Sequence, residues 1–317
     1  MFKQTFDQFH NMQEIWVTAV QVATVWTAPD KAREIDLAGL RNPTNIEQWL
    51  EQLTYENRLA LCDENRVQSQ LLYGEAVIVT EIIEEWAHVV IPSQPSSKDG
   101  RGYPGWVPVK QLKKIERNDW YRAKTAAVTD SKVWLEAANG DRHMQVSYMT
   151  CLPVINKIAD RIKVNTPDGA YFLPGESVTI FHTNKGRTES GSGEDIVQSS
   201  KQFLGLDYFW GGMSAFGFDC SGFAYAIHKA NGYQIPRDAS DQEKDGVDIP
   251  LDAVLPGDLL FFAYQEGKGR VHHVGIAIGD DQMIHAPNTG KSIEVSNLKN
   301  TVYEKECCRA RRYWKWR

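Results

Sequence analysis

The segment FDCSGF at residues 218–223 places Cys220 directly before a run in which apolar residues recur about every 3.6 positions and which ends near Gly232. The pattern predicts a helix over about 220–231, with Cys220 in its first turn. The unpaired N–H groups and the positive dipole end of a helix favour a thiolate, so we expect an acidic, nucleophilic sulfur. A lone cysteine is also common as a small buried residue, and position alone leaves both interpretations open.

A cysteine nucleophile needs a group that accepts its proton, usually a histidine oriented by a third polar group. The segment VHHVGIAIG alternates as a strand does and places His273 on the same face as Gly275 and Ala277. Because these residues are small, a helix can pack closely there with its cysteine end near His273. His272 lies on the opposite face, where we expect it to face the core or to support the site.

His285, in QMIHAP, follows His273 by twelve residues, with the turn segment GDDQ between them. This spacing suits two neighbouring antiparallel strands, so the two imidazoles are predicted to lie side by side. One would act as the base and the other would orient it. The alternative is two unrelated histidines in a sheet.

These residues need elements that hold them in place. The sequence after residue 195 predicts a helix over about 194–205, a loop, the cysteine helix, and the strands DLLFFAY, HHVGIAIG, QMIHAP and SIEVS. That is an α+β domain of about 125 residues. The polar, glycine-rich segment TNKGRTESGSGED at 183–195 is the predicted linker before it.

The preceding sequence is rich in short β segments. LLYGEAVIVTE, EEWAHVVIPSQ and GYPGWVPVKQL follow a predicted helical insertion at 32–65, and AAVTD, DRIKVNTPDGAYFLP and ESVTIFH repeat the texture. We predict two small β-barrels in tandem. The predicted domains are residues 1–115, 116–183 and 184–317.

Composition limits the classes of partner. The net charge of −6 gives no general basic field for nucleic acid, although RARRYWKWR at 309–317 is locally basic and is predicted to be a closing strand. Five scattered cysteines predict neither a disulfide framework nor a zinc site. The sequence has no run of about 18 apolar residues and no signal-peptide core, so we expect no membrane association. A cytoplasmic protein is expected, or an extracellular one if a precursor was trimmed.

Six segments in order resemble the NlpC-type (NlpC/P60) cell-wall cysteine peptidases: YFWGG at 208–212, FDCSGF at 218–223, PRDASDQ at 236–242, PGDLLFF at 256–262, HHVGIAIG at 272–279 and MIHAP at 283–287. The resemblance implies a papain-like α+β catalytic domain. It assigns Cys220 as nucleophile, His273 as base and His285 as the orienting group.

The segments LYGE and GWVP, with tryptophan and alternating β residues between them, resemble bacterial SH3-like domains, although the second copy lacks GWVP. Two SH3-like β-barrels before such a catalytic domain resemble the γ-D-glutamyl-L-diamino acid endopeptidases of bacilli. That resemblance implies hydrolysis of the γ-D-glutamyl bond to lysine or diaminopimelate in murein-derived peptides with a free N-terminal L-Ala. Release of L-Ala-γ-D-Glu would serve cell-wall peptide recycling. No metal or organic cofactor is implied, and a monomer is expected.

The same resemblance implies a set of substrate-binding residues. Tyr208, Asp219 and Ser221 would line the cleft, Trp210 would face the dipeptide, Arg237, Asp238 and Ser240 would contact its polar groups, and Tyr103 would close the site. His272 is a further candidate, and Glu75 is a candidate for the substrate ammonium. Ala239 departs from the family pattern, where a small polar residue is expected.

Elementary chemistry agrees in outline. A substrate with a free ammonium and a carboxylate needs an acidic and a basic contact, which Arg237 and Asp238 can supply if their loop points inward. The alternative is a solvated pair in a turn. Tyr103 and Trp106 are also candidates for the barrel core, Trp106 more than Tyr103, and Glu75 is also consistent with an exposed carboxylate.

Two other functions remain open from the sequence. One is a cell-wall or peptide-binding protein with a degenerate third domain, which the presence of all three triad positions disfavours. The other is an acyltransferase or amidase that uses the same cysteine.

Overall fold

The structure, a computed structural model, describes residues 8–183 and 190–314. They form two compact units. The amino-terminal unit comprises residues 8–93, 98–183 and 214–216, and the carboxy-terminal unit comprises residues 94–97, 190–213 and 217–314. Most of the predicted linker, residues 184–189, lies outside the described residues, as do residues 315–317 of the predicted closing strand.

No helix among the described residues is both long enough and apolar enough to cross a lipid bilayer.

The amino-terminal unit begins with a seven-stranded antiparallel sheet in the order β3-β2-β6-β5-β4-β1-β7. Its strands are β1 (Glu14–Thr18), β2 (Val22–Trp26), β3 (Val67–Leu72), β4 (Ala76–Ile83), β5 (Trp86–Ile91), β6 (Tyr103–Pro108) and β7 (Leu112–Glu116). Three short helices lie between β2 and β3: α1 (Leu37–Leu40), α2 (Ile46–Gln52) and α3 (Tyr55–Asp63). The predicted helical insertion is thereby confirmed.

A second antiparallel sheet has the order β10-β9-β13-β12-β11-β8-β14 and follows the single helical turn α4 (Arg117–Trp120). Its strands are β8 (Lys124–Val128), β9 (Lys132–Glu136), β10 (Arg142–Ser147), β11 (Cys151–Ile158), β12 (Arg161–Thr166), β13 (Gly169–Pro174) and β14 (Val178–His182). When each strand number is reduced by seven, this order is the order of the first sheet. The predicted tandem repeat is therefore present at the level of topology.

The two copies differ in their connections. Residues 27–66 join β2 to β3 in the first sheet, whereas residues 137–141 join the equivalent strands of the second. Residues 92–102 join β5 to β6, whereas a two-residue turn at 167–168 joins β12 to β13. In neither sheet do the outermost strands pair with each other among the described residues, so hydrogen bonds do not close the predicted barrels.

Both sheets contribute to one apolar core. Ile15, Val17 and Tyr73 from the first copy pack in the same buried cluster as Leu135 and Leu152 from the second. Burying apolar side chains of this size stabilises the fold by roughly 1.5–3 kcal/mol each. The two copies therefore share their stability.

The carboxy-terminal unit is built on a six-stranded sheet in the order β17-β22-β18-β19-β20-β21. Its strands are β17 (Val247–Ile249), β18 (Leu259–Ala263), β19 (Val271–Gly279), β20 (Gln282–His285), β21 (Glu294–Asn297) and β22 (Cys307–Arg312), and a separate two-stranded ladder joins β15 (Met213–Ser214) to β16 (Gly217–Phe218). The helices are α5 (Gly193–Lys201), α6 (Cys220–Ala230), α7 (Ala239–Gln242), α8 (Tyr264–Gly267) and α9 (Val302–Glu306). Of the closing strand predicted at 309–317, residues 309–312 belong to β22, which pairs with β17 and β18.

Local sequence explains the elements that matter for the site. Strand β18, LLFFA, is buried along its whole length, as expected of a strand covered on both faces. The hairpin between β19 and β20 turns at Asp280 and Asp281, which both adopt left-handed backbone angles, the conformation that two-residue hairpin turns require. Helix α6 packs against β19. These contacts bring the cysteine helix to the strand that carries His273.

Candidate active site

Helix α6 begins at Cys220 because Asp219 caps it. The Asp219 carboxylate accepts a hydrogen bond of 2.7 Å from the backbone N–H of Gly222, which satisfies one of the free amides of the first turn. A side chain at Gly222 would place its Cβ 2.1 Å from the carbonyl oxygen of Gly212, so only glycine fits. The YFWGG and DCSGF segments therefore meet at the start of the cysteine helix.

A buried ion pair fixes this end of the helix. Arg237 is 1% exposed and donates to both carboxylate oxygens of Asp219, at 2.7 and 3.2 Å, and to the Ser221 hydroxyl at 2.9 Å. Arginine is suited to such a bidentate contact because its donors lie in one plane. The structure gives all three residues a positioning role. Their predicted contact with substrate stays a prediction.

The charge state of Cys220 differs from expectation. Although the residue keeps partial exposure, burial of its thiol raises the pKa to about 12, and the Asp219 charge adds to the rise. The backbone N–H of Val274, Arg237 and the N–H of Ser221 oppose the rise but do not cancel it. This direction is opposite to the expected acidic thiol, and desolvation is its largest cause. Proton removal therefore requires a base.

Two histidines lie next to each other on neighbouring strands. Nε2 of His273 and Nδ1 of His285 are 2.7 Å apart, and both residues are buried. The antiparallel pairing of β19 with β20 brings them together, as the twelve-residue spacing predicted. Since the hydrogen bond occupies Nε2 of His273, Nδ1 is the nitrogen left for a thiol proton. The bond from the Val274 amide to the Cys220 sulfur places the thiol beside the residue that follows His273.

Both imidazoles are neutral near pH 7. Burial lowers the pKa of His273 well below its usual 6.5, and the neighbouring His285 and His272 lower it further. Burial also lowers the pKa of His285 to about 4, with a contribution from Lys291. A neutral imidazole can accept a proton, so the resting site pairs a thiol with a base.

Sequence reasoning missed two residues on the next strand. The Ser296 hydroxyl lies 3.0 Å from Nε2 of His285 and donates to Glu294 Oε1 at 3.2 Å. Strand β21 pairs with β20, His285 opposite Glu294. The segment SIEVS had already been predicted to be a strand, and the spacing of two between Glu294 and Ser296 was the signal that could have placed both on one face.

The other substrate-binding candidates of the catalytic domain are buried or half-buried. Tyr208 is buried and forms a parallel bridge with Phe218, two residues before Cys220, whereas Trp210 is half-buried. Asp238 precedes α7, and Ser240, within that helix, is half-buried. Their predicted roles as substrate contacts are not tested by these positions.

His272 points away from the histidine pair. Its Nε2 lies 3.2 Å from a carboxylate oxygen of Glu306, and its ring stacks on Tyr264 at 4.1 Å between centroids. The side chain is 22% exposed, so it faces neither the core nor His285. Its ring centroid lies 6.4 Å from that of His273, whose pKa it helps to lower.

Glu75 and Tyr103 belong to the amino-terminal unit. The Glu75 carboxylate accepts from the Leu72 backbone at 2.9 Å and from the Ser93 hydroxyl, while Tyr103 donates to Gln68 at 3.0 Å. Tyr103 is 1% exposed and belongs to an apolar core, whereas Trp106 is half-buried and packs edge-on against His88. Sequence reasoning had ranked these two aromatic residues in the wrong order for the core.

No group of three or more His, Cys, Asp or Glu side chains within residues 8–183 and 190–314 is arranged to hold a metal ion.

Comparison with known proteins agrees with this architecture. The NlpC/P60 family profile matches residues 205–312, and the profile of the YKFC SH3b2 domain matches residues 128–181. The chain is 48% identical over 295 residues to the γ-D-glutamyl-L-lysine dipeptidyl-peptidase of Bacillus subtilis, an alignment that covers 92% of this chain and 96% of that one.

Two further relatives extend over most of the chain. A γ-D-glutamyl-L-lysine dipeptidyl-peptidase of Bacillus cereus is 37% identical, over 93% of this chain and 89% of the relative. The crystal structure of an NlpC/P60 family protein from Bacillus cereus superposes with a TM-score of 0.90 at 35% identity, over 95% of this chain and 99% of that one. With the cysteine at a helix start and its histidine pair, these likenesses show that the chain belongs to the NlpC/P60 family of cysteine peptidases.

Proposed function

We propose that this enzyme hydrolyses the γ-D-glutamyl-L-lysine bond, or its diaminopimelate counterpart, in murein-derived peptides with a free N-terminal L-Ala, and that it releases L-Ala-γ-D-Glu. The observation that carries the chemistry is the 2.7 Å contact between His273 and His285 beside the Cys220 helix. The bond specificity follows the names of the Bacillus relatives.

The geometry supports a thioester mechanism. Nδ1 of His273 would take the Cys220 proton as the sulfur attacks the carbonyl carbon of γ-D-Glu. The backbone N–H groups at the start of α6 would stabilise the oxyanion that forms. His273 would return the proton to the amine of the leaving lysine, and water would then hydrolyse the thioester and restore the thiol.

The proposal includes three further expectations. These are a monomeric enzyme, a cytoplasmic location and a role in recycling cell-wall peptides. Contacts from Glu75 and Tyr103 to the dipeptide also stay predictions.

The experiment is a mass-spectrometric digest of L-Ala-γ-D-Glu-L-Lys and its diaminopimelate counterpart, each with a free and an acetylated N-terminus. We expect L-Ala-γ-D-Glu only from the free amines, no product from Cys220→Ala, and full product from the matched control Cys62→Ala, whose cysteine lies in α3. Cleavage indifferent to acetylation would indicate a general wall hydrolase. No cleavage of any peptide would favour the acyl-transfer or binding alternatives.

A further inference from the structure

The hydrogen-bond chain that starts at His273 continues beyond the second histidine. From Nε2 of His285 it passes to the Ser296 hydroxyl at 3.0 Å and from there to Glu294 at 3.2 Å. The direct distance from His285 Nε2 to Glu294 Oε1 is 3.9 Å, too long for a hydrogen bond. The hydroxyl of Ser296 therefore connects the two.

Elementary donor and acceptor rules give this chain one direction. A carboxylate only accepts, so the Ser296 hydroxyl donates its proton to Glu294 and its oxygen must accept from His285. His285 then carries its proton on Nε2, and its Nδ1 accepts from Nε2–H of His273. The proton of His273 is thus on Nε2, and its Nδ1 has a free lone pair.

We propose that Ser296 and Glu294 are positioning residues that hold both histidines in the tautomer in which Nδ1 of His273 is free to accept the thiol proton. This inference rests on the proposed function, in which His273 is the base. The Ser296 oxygen accepts from Nε2–H of His285 and so stabilises that tautomer over the one with the proton on Nδ1. The opposite tautomer would place a proton on the nitrogen that must receive one.

The titratable neighbours of the two histidines do not replace Ser296 as the hydrogen-bond acceptor for Nε2 of His285. The other titratable groups near His285 are Lys291 and Tyr303, whose ring packs edge-on at 5.2 Å between centroids, and His272 acts on His273 at a ring distance of 6.4 Å. Lys291 carries only donors and would not stabilise a proton on His285. Among the contacts described at Nε2 of His285, Ser296 is the hydrogen-bond acceptor.

The tautomers can be observed directly by ¹⁵N–¹H correlation of the imidazoles in the full-length enzyme at pH 7. We expect Nε2–H on both histidines in the wild type and a mixed population at His285 in Ser296→Ala. This measurement needs no substrate, so it tests the positioning role of Ser296 and Glu294 even if the proposed specificity is wrong. An Nδ1–H tautomer of His285 in the wild type would overturn the inference.

Kinetics provide the second readout, with the free L-Ala peptide as substrate. Losing one neutral hydrogen bond predicts a fall in kcat of roughly three- to tenfold in Ser296→Ala with KM unchanged, and Ser296→Thr should recover most of it because the hydroxyl remains. The rate of Cys220 alkylation by iodoacetamide at pH 7 should fall in parallel.

Ser292→Ala is the matched control. Its hydroxyl donates to Asp207 at 2.9 Å and not to the chain of His285, Ser296 and Glu294, so kcat and both tautomers should stay as in the wild type. Equal kcat and alkylation rates in Ser296→Ala and the wild type would reject the positioning role of Ser296. If Cys220 of the wild type is alkylated by iodoacetamide but the enzyme cleaves no γ-D-glutamyl peptide, the proposed function is wrong. The tautomers measured by NMR then still test the positioning role of Ser296 and Glu294.

Discussion

The two sides of the active site are held in different ways. The cysteine side is fixed by charge, through the buried pair of Asp219 and Arg237 at the start of α6. The histidine side is fixed by hydrogen bonds that pass from His273 through His285 and Ser296 to the half-exposed Glu294. The nucleophile thus sits beside a buried ion pair, and the base sits in a chain of hydrogen bonds.

The comparison also shows how the sides depend on each other. Because burial and, to a smaller extent, the Asp219 charge raise the pKa of the Cys220 thiol to about 12, the cysteine side alone produces little thiolate at neutral pH. Because burial lowers the pKa of His273, the histidine side is ready to accept a proton. The reactivity of Cys220 therefore depends on both its thiol and the His273 base.

The largest expected effect comes from removing Cys220 or His273. Cys220→Ala and His273→Ala should each lower kcat by at least ~10³-fold, because thiol and base act as a unit. The double variant should then be no slower than either single variant. Peptide hydrolysis measured on all three variants checks this, and multiplicative losses would show that the two residues act separately.

The second effect concerns stability on the cysteine side. Asp219→Asn leaves the buried Arg237 without its charged partner, which should lower the free energy of unfolding by about 3–5 kcal/mol. The control Asp281→Asn removes an exposed pair with Lys299 and should leave stability unchanged. Urea denaturation followed by circular dichroism measures both, and equal midpoints for Asp219→Asn and the wild type would contradict the contrast between the two sides.

The smallest effect is on pH dependence, and it separates the two sides. A lowered pKa keeps His273 and His285 neutral below pH 6.5, so kcat/KM should persist into mild acid and fall only as pH drops toward 4, where His285 also takes up a proton. On the alkaline side, a thiol pKa of about 12 means that the alkylation rate should keep rising through pH 9.

Asp219→Asn sharpens this test. Loss of the negative charge should move the alkylation profile of Cys220 to lower pH, because that charge raises the thiol pKa. The acid limb of kcat/KM should stay where it is, since the causes that shift the histidines do not include Asp219. A common shift of both limbs would mean that the two sides titrate as one.

Local patterns were enough to predict much of the site. The start of the helix at Cys220 follows from its capping aspartate and apolar spacing, and alternation with a two-residue turn places His273 beside His285. These are short-range features, readable from a few neighbouring residues.

Features that depend on packing were beyond the sequence. The raised pKa of Cys220 results chiefly from burial of its thiol, and the pairing of Asp219 with Arg237 joins residues that lie eighteen positions apart. The same reason explains Tyr103, which packs in the core where Trp106 was expected. Likewise, residues 94–97 follow a strand of the first sheet but belong to the carboxy-terminal unit, where the Pro95 carbonyl accepts from the Arg237 amide at 2.9 Å.

The repeated strand order has a consequence for the modularity of the amino-terminal unit. In each copy the first strand pairs with the last, and the chain enters and leaves at adjacent points: the Arg117 amide donates to Gln13, and the Thr183 amide donates to Ala123. Such an arrangement would let a copy be duplicated, permuted or deleted without rerouting the chain. The shared core opposes this freedom, because deletion of the second copy would expose Tyr73 and Trp120 to water. The repeated strand order is the arrangement that duplication of one copy would produce, and the common core would keep the two copies together.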